Sequence, residues 1–291
     1  MKANENQTSI VINAINKNIA FHNELTKNLA GISLIQRSIN IAQKLALTKK
    51  NIYVVTDSEE VKLICDRNKV EAYLDKSLIN FNPEENNSLF QFLEQTLISS
   101  NLVFIFSPYA PLLSLDLFNE AKLKIIKSKA NLLIPSRNIQ HNKIDETQKK
   151  MFFAKNIKHS YLVDSNYFLL IKKEVIESRF MIPLLRSKLF ISENYVEINS
   201  QYDWWICEKL LKRKLIIFRI IGNNKVGMGH IYRALSLAHE ISNHQLIFVS
   251  DAKDLTAIKI LKASNYHFEI FESDDIIEKI LHLKPNLVIN D

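Results

Sequence analysis

Short apolar runs and amphipathic stretches alternate along the first part of the chain and predict an α/β domain. The apolar, β-branched runs have the length of buried strands and lie at 9–14, 51–56 and 102–106. Residues 34–45 carry apolar side chains at helical spacing, and further helices are predicted from residue 57 onward and over 86–99. Strands that alternate with helices predict a parallel-rich sheet with helices on both faces.

The stretch 137–200 has weaker periodicity. It opens with a polar segment, 137–150, and then contains strand-like runs at Ser160–Val163 and Tyr167–Ile171. These runs predict additional strands without helices between them.

The alternation starts again at Arg213 and predicts a second unit of Rossmann type. The predicted elements are, in order, strand 214–221, helix 231–242, strand 244–250, helix 254–263, strand 267–270, helix 273–282 and strand 286–290. The pattern therefore divides the chain into domains 1–212 and 213–291.

Three of the four glycines fall between the first strand and the first helix of this second unit. They are Gly222, Gly227 and Gly229. Glycine is favoured where φ is positive or where backbone must approach a ligand closely. A helix that begins directly after such a turn favours an anionic ligand at its N-terminus.

Composition excludes several classes of function. The formal charge is +7, but the lysines are scattered among Asn and Ile and form no Arg-rich patch, so nucleic-acid binding is not predicted. Cys65 and Cys207 match no metal or redox spacing and are predicted to be buried thiols in a reducing compartment. The polar N-terminus does not resemble a signal peptide, and no apolar run approaches the ~20 residues that span a bilayer. We therefore expect a cytoplasmic protein that does not enter a membrane.

Ligands of parallel α/β sheets bind at the carboxyl ends of the strands. In the first domain, the loops at these ends are predicted at 15–28, 56–59 and 107–114. We expect the functional residues of the domain in these three loops.

Four segments resemble the CMP-sialic acid synthetase (acylneuraminate cytidylyltransferase) family, and the similarity extends over residues 8–212. The segments are Leu29–Ile35, Val54–Glu60, Ser107–Leu113 and Glu197–Glu208. The resemblance implies a glycosyltransferase-A-like nucleotidyltransferase fold and Mg²⁺-dependent transfer of CMP from CTP to a nine-carbon acidic sugar of the sialic, legionaminic or pseudaminic type, with release of pyrophosphate. It also implies a homodimer, with the 137–200 region packed against the second subunit.

The resemblance assigns candidate roles to residues of the predicted loops. The candidates for contact with the nucleotide or the sugar are Asn16, Lys17, Lys27, Asp57 and Ser107. Glu197 and Asn199 fall where the family holds Mg²⁺. Two alternatives from the residues themselves stay open, because Asp57 also suits a helix cap, as does Ser58, and Asp203 suits a cap for a helix at 204–212.

Several positions depart from the family pattern. Ile15 and Ile19 stand where the family has the arginine and the lysine that bind phosphate, and Glu24 and Leu25 replace a later lysine–asparagine pair. An isoleucine offers no donor to a phosphate, and the neutral Asn199 is a poor ligand for a hard cation. The departures predict that transfer activity is lost or reduced. The alternative is a non-catalytic sugar-nucleotide-binding or scaffold subunit, a pseudoenzyme.

The second unit carries a resemblance of its own. Gly227, Gly229, His230 and Arg233 match the opening motif of the UDP-sugar hydrolase of pseudaminic acid biosynthesis. That enzyme has a glycosyltransferase-B fold of two Rossmann-like halves, and the resemblance implies that residues 213–291 form an incomplete N-terminal half in which His230 is the base that activates water. A truncated hydrolase, a phosphate site without hydrolysis and a tight turn capped by the histidine are the alternatives.

Overall fold

The computed structural model describes residues 8–46, 49–77, 96, 100–139, 143–145, 150–152, 160–163, 167–174, 187–191, 196–221, 228–272 and 275–290. The chain divides into two compact units, Met1–Glu208 and Lys209–Asp291. Most of the predicted helix 86–99 lies outside the described residues, as do Gly222 and Gly227.

The first unit is built on a large mixed sheet. In chain order the strands of the unit are β1 (Thr8–Ala14), β2 (Asn28–Leu29), β3 (Ile32–Ser33), β4 (Ile52–Thr56), β5 (Glu71–Leu74), β6 (Leu102–Phe106), β7 (Leu132–Ile139), β8 (Lys143–Asp145), β9 (Lys150–Phe152), β10 (Ser160–Val163), β11 (Phe168–Lys172) and β12 (Ser187–Ile191). Among the described residues, the large sheet has eight strands in the order β10-β7-β11-β6-β1-β4-β5, and β12 pairs with β7. Strands β2 and β3 form one separate hairpin, and β8 and β9 form another.

The centre of the sheet is parallel, as the alternation of strands and helices predicts. Strand β1 lies between β4 and β6 and runs parallel to both, with Ala14 opposite Thr56 and Ile12 opposite Phe106. This register brings the carboxyl ends of the three strands to one edge of the sheet. Strand β1 is covered on both faces, and its residues are buried almost without interruption.

Outside this centre, the parallel-rich sheet also contains antiparallel strands, among them β10, which runs antiparallel to β7. Strand β11 runs antiparallel to β6 and to β7, between which it lies. A helix crosses from β6 to β7, so these two strands run in the same direction and leave one strand position between them. Strand β11 fills this position in the opposite direction and therefore pairs in an antiparallel manner with both neighbours.

Four helices of the first unit begin at serine caps. Helices α1 (Leu34–Leu45), α2 (Glu59–Asn68) and α3 (Leu115–Ile126) follow Ser33, Ser58 and Ser114, whose hydroxyls accept from the backbone amides of Gln36, Val61 and Leu117. Such a cap stabilises a helix by roughly 0.5–2 kcal/mol. The fourth helix, α4 (Gln201–Leu211), follows Ser200. The structure selects Ser58, not Asp57, as the cap of α2.

The start of α4 corrects the predicted bounds of this helix. The helix begins at Gln201 and not at residue 204. Ser200 Oγ accepts from the amide of Asp203 at 3.2 Å, and the Asp203 carboxylate accepts in return from the amide of Asn199 at 3.1 Å. Asp203 is thus the third helical residue, hydrogen-bonded to the cap Ser200, and not the residue before the helix.

The second unit is a parallel sheet of the kind that its pattern predicts. Its elements are β13 (Leu215–Ile220), α5 (Gly229–Glu240), β14 (Gln245–Asp251), α6 (Leu255–Ala263), β15 (His267–Phe271), α7 (Ile276–His282) and β16 (Leu287–Asn290). The strands are ordered β15-β14-β13-β16, and every described pair is parallel. Apolar clusters cover both faces, and the rings of Phe218 and Phe248 stack at 5.0 Å within one of them.

No helix among the described residues combines the length and the apolar character required to cross a bilayer.

Candidate functional site

The loop that follows β1 is tied to the end of β4. The backbone amide and the side-chain amide of Asn16 both donate to Asp57 Oδ1, at 3.1 and 3.3 Å. Asn16 lies two residues after β1 and Asp57 lies directly after the adjacent parallel strand β4, which is why they meet at the carboxyl edge. The structure therefore brings two of the predicted site residues together, and the carboxylate of Asp57 is engaged with the loop.

Lys17 joins this loop to two other parts of the unit. Its ammonium group forms an ion pair with the carboxylate of Glu197, which is 4% exposed. Its backbone amide donates to the hydroxyl of Tyr109 at 2.8 Å, and its Nζ lies 4.8 Å from the centroid of the same ring. The amide of Ile198 in turn donates to the carbonyl oxygen of Tyr109 at 2.8 Å. Three loops that are remote in sequence are thus fixed around one ammonium group.

The carboxylate of Glu24 accepts hydrogen bonds from backbone amides of its own loop. It is fully buried, and its Oε1 accepts from the backbone amides of Ala20 and of Phe21, the latter at 2.9 Å. The Phe21 ring packs edge-to-face on buried Trp204 of α4, with the centroids 5.2 Å apart. A buried carboxylate in this loop needs such donors, because an unpaired charge inside a protein is very costly.

Tyr109 lies between these groups. Burial raises the pKa of its phenol well above the ordinary value, and hydrogen bonding and charge from the neighbouring Glu24 add to the rise. The phenol therefore stays protonated over the whole range in which proteins are folded, so it remains a neutral hydrogen-bonding group.

The other two predicted ligand contacts of the first unit, Ser107 and Lys27, form hydrogen bonds within their own loops. Ser107 is buried, and its Oγ accepts from the amide of Tyr109 at 3.2 Å, so it shapes the loop after β6. The side chain of Lys27 is exposed, while its backbone amide donates to the carbonyl of Glu24 at 3.0 Å. Neither geometry by itself identifies a ligand contact.

The residues that the family pattern assigns to Mg²⁺ do not form a suitable donor set here. The Lys17 ammonium group is already paired with the Glu197 carboxylate, and Asn199 is exposed beside the cap of α4. Over the described part of the chain, no group of three His, Cys, Asp or Glu side chains is arranged to hold a metal ion. A resident divalent cation prefers several oxygen ligands, usually carboxylates, and so does not fit these residues.

Tyr109 is a site residue that the sequence reasoning missed, and Glu24 was recognised only as a departure from the family pattern. The available signal for Tyr109 was its position between Pro108 and Pro111 in the loop after a buried strand. Glu24 carried no such signal, because an acidic residue in a polar loop is ordinarily solvated.

In the second unit, His230 and Arg233 lie one turn apart in α5. Arg233 Nη2 is 2.9 Å from His230 Nδ1. A guanidinium group has no acceptor, so Nδ1 accepts and a neutral imidazole then carries its proton on Nε2. In this arrangement His230 presents a donor, and action as a base through Nε2 requires the other tautomer.

Gly229 is the first residue of α5, and the space around it does not require a glycine. No atom lies within 4 Å of the Cβ that a larger residue would add. The described fold therefore does not itself demand glycine at this position. The neighbouring candidate Gly227 lies outside the described residues.

Comparison with known proteins first concerns sequence. No family profile matches the chain. The uncharacterized protein MJ1062 of Methanocaldococcus jannaschii is 33% identical over 73 residues, and this match spans 24% of the chain and only 15% of that protein. These matches do not place the chain in a family.

Comparison with solved structures reveals the fold. CMP:2-keto-3-deoxy-manno-octonic acid synthetase complexed with CTP matches 71% of this chain and 98% of its own, with a TM-score of 0.53 and 9% identity. The 4-diphosphocytidyl-2C-methyl-D-erythritol synthase of Anaerococcus prevotii matches 72% and 98%, with a TM-score of 0.55 and 14% identity. The bifunctional IspDF of Campylobacter jejuni matches 68% of this chain and 53% of its own, with a TM-score of 0.50 and 15% identity. The chain thus has the mixed α/β, Rossmann-like fold of these nucleotidyltransferases.

Proposed function

We propose that the first unit binds a cytidine nucleotide at the carboxyl edge of its large sheet. The supporting observation is the convergence of Lys17, Tyr109 and Glu197 on this edge. In a parallel sheet, this is the edge at which ligands bind. One protein of the same fold was solved with CTP bound, which favours this nucleotide class.

The residues at the edge suggest how the nucleotide is held. Lys17 lies in the loop after β1, and its ammonium group is paired with the Glu197 carboxylate. The ammonium group can exchange this carboxylate for a phosphate oxygen of the nucleotide. Asp57 fixes the start of the loop through Asn16, and the ring of Tyr109 supports the ammonium group from one face. Binding therefore depends on a site that is already organised by internal polar contacts.

We further propose that the first unit transfers the cytidylyl group slowly or not at all. Ile15 is buried and Ile19 is exposed, and neither offers a donor for phosphate charge. Lys17 is bound to Glu197, and the donor set does not suit a resident divalent cation. Because stabilisation of developing charge is commonly the largest catalytic effect, a loop without these groups supports binding better than catalysis.

The biological role in this proposal comes from the sequence resemblances. They favour a cytoplasmic homodimer in the activation of sialic, legionaminic or pseudaminic acids, with the nine-carbon acidic sugar as the second ligand. The second unit is proposed to be the N-terminal half of a UDP-sugar hydrolase-like domain. A scaffold that binds a sugar nucleotide is the form of the proposal that the loop geometry favours.

Calorimetry on the full chain tests the nucleotide class. We expect CTP to bind with a dissociation constant below roughly 1 mM, which corresponds to about −4 kcal/mol, and ATP to bind at least about tenfold more weakly. Lys17→Met should weaken CTP binding, whereas substitution of the exposed Lys76 by Met should not. Equal binding of CTP and ATP, or no heat with either, would contradict the proposal.

A pyrophosphate-release assay tests the proposed loss of transfer. The chain is incubated with CTP, Mg²⁺ and a nine-carbon acidic sugar, with an active cytidylyltransferase as the positive control. We expect release no faster than in the protein-free control. Release at the rate of the active enzyme would show that the phosphate loop is functional despite its altered residues.

A further inference from the structure

The turn at residues 18–24 is built like an anion-binding site but is filled by its own chain. The backbone amides of Ala20 and Phe21 converge on Glu24 Oε1. Proteins use successive backbone amides of this kind to bind phosphate and other anions. Glu24 is fully buried, and its own carboxylate is the acceptor for these two amides.

The shape of the turn has support that is independent of Glu24. Asn18 and Asn23 have φ values of 51° and 54°, a region that asparagine tolerates better than most residues. The amide of Asn23 donates to Asn18 Oδ1 at 3.1 Å, and this bond holds the two ends of the turn together. The convergent amides should therefore persist when the charge of Glu24 is removed.

Neighbouring charges oppose the entry of a polyphosphate into the turn. Asp57 and Glu197 add negative charge at the same edge of the sheet, and the ammonium group of Lys17 is already paired with Glu197. For an incoming phosphate group, the amides of Ala20 and Phe21 are already hydrogen-bonded to the carboxylate of Glu24. The phosphate group can accept from these amides only if the Glu24 carboxylate breaks its hydrogen bonds to them.

We propose that Glu24 is an autoinhibitory internal ligand, which keeps polyphosphates out of the loop until its carboxylate is displaced from the amides of Ala20 and Phe21. The identification of the polyphosphate as that of CTP rests on the proposed function. The competition itself does not, because inorganic tripolyphosphate presents the same charged oxygens without a base or a sugar.

Substitutions of Glu24 test the competition on the full chain. Glu24→Gln removes the charge with little change in shape, and Glu24→Ala removes the acceptor as well. Glu60→Gln is the matched control, because this carboxylate is exposed and contacts the same loop only through Thr26 Oγ1 at 3.3 Å. Binding of tripolyphosphate and of CTP is measured by calorimetry, and circular dichroism and thermal unfolding identify variants that do not fold.

We expect both Glu24 variants to bind tripolyphosphate at least about tenfold more tightly than the wild type, with Glu60→Gln unchanged. Hydrogen exchange should show faster exchange at Ala20 and Phe21 in Glu24→Ala, and renewed protection when tripolyphosphate is added. Folded Glu24 variants that bind tripolyphosphate no more tightly than the wild type would overturn the inference, as would an equal gain in Glu60→Gln. Tighter tripolyphosphate binding without preference for CTP over ATP would uphold the inference and count against the proposed nucleotide class.

Discussion

The ammonium group of Lys17 and the carboxylate of Glu197 form an ion pair although 180 residues separate them in the chain. Glu197 is buried, whereas Lys17 retains 25% of its side-chain exposure. The pair connects the loop after the central strand to the segment that precedes α4. It is therefore both a structural tie and the point at which an anionic ligand would compete for the lysine.

Removal of one partner should destabilise the first unit. Lys17→Met leaves the Glu197 carboxylate buried without its cation, and we expect a loss of about 1–3 kcal/mol in the free energy of unfolding, because Lys17 is partly solvated. Urea unfolding measures this loss. Lys76→Met removes an exposed ion pair with Glu59 and should cost no more than about 1 kcal/mol. The double variant Lys17→Met, Glu197→Gln should recover much of the loss, and strict additivity would show that the pair contributes no coupling.

Asp57 and Ser58 should have separable effects although they are adjacent. Asp57→Ala removes the acceptor for both amides of Asn16, so hydrogen exchange should accelerate at the start of loop 15–28. Ser58→Ala removes the cap of α2 and should cost about 0.5–2 kcal/mol, with faster exchange in the first turn of that helix. Exchange mass spectrometry of the two variants distinguishes these regions. If Asp57→Ala loosened only α2, its assigned role in the loop would be incorrect.

The two thiols should be inert in the native protein. Burial raises the pKa of Cys65 to about 12 and that of Cys207 to about 12, and neighbouring Asp66 and Asp203 add to the respective rises. Since the thiolate is the reactive form, Ellman's reagent should modify neither thiol rapidly at pH 8 and should modify both in denaturant. Rapid modification of either thiol in the native protein would contradict its burial.

The same groups predict a loss of stability at alkaline pH. Their folded-state pKa lies above the unfolded value of about 9, so the unfolded chain releases protons first. Their contribution is complete below pH ~9 and decreases as pH rises towards ~12. Unfolding by urea across this range measures the slope. A variant with Cys65→Ala and Cys207→Ala should have a shallower slope than the wild type, and an unchanged slope would assign the effect to other groups.

The imidazole of His230 should be found as the Nε2–H tautomer. Arg233 can only donate to Nδ1, which fixes the proton on the other nitrogen of the neutral ring. Nitrogen chemical shifts in a histidine-labelled sample report the tautomer directly. Arg233→Met should relax this preference, while substitution of the adjacent exposed Tyr232 by Phe should not. Observation of the Nδ1–H form in the wild type would show that Arg233 does not hold the ring in this way.

The sequence correctly predicts most helices and strands of both units, because hydrophobic periodicity is a local property of the chain. Strand β13 is predicted at 214–221 and found at Leu215–Ile220, and α1 is found at the predicted residues. Ser33 also illustrates a local rule, since its hydroxyl caps α1 directly. The alternation of strands and helices also predicts that the loops after β1, β4 and β6 meet at the carboxyl edge of the sheet.

The reversed direction of β11 and the partners of the loop residues depend on tertiary structure. The local pattern of Phe168–Lys172 does not distinguish a parallel strand from an antiparallel one, because an interior strand that is covered on both faces is largely apolar in either direction. Likewise, the sequence presents Glu24 only as a departure from the family pattern, while the structure shows that its carboxylate accepts hydrogen bonds from the backbone amides of its own loop.

The sequence by itself thus determined the elements, the α/β class and the edge that carries the loops. Only the tertiary structure decided that Lys17 meets Glu197, that Tyr109 lies between the loops and that Glu24 is internal. The physical reason is that periodicity records which side of an element is buried, whereas the partner of a buried polar group depends on which distant donor or acceptor the packed chain brings within hydrogen-bond distance.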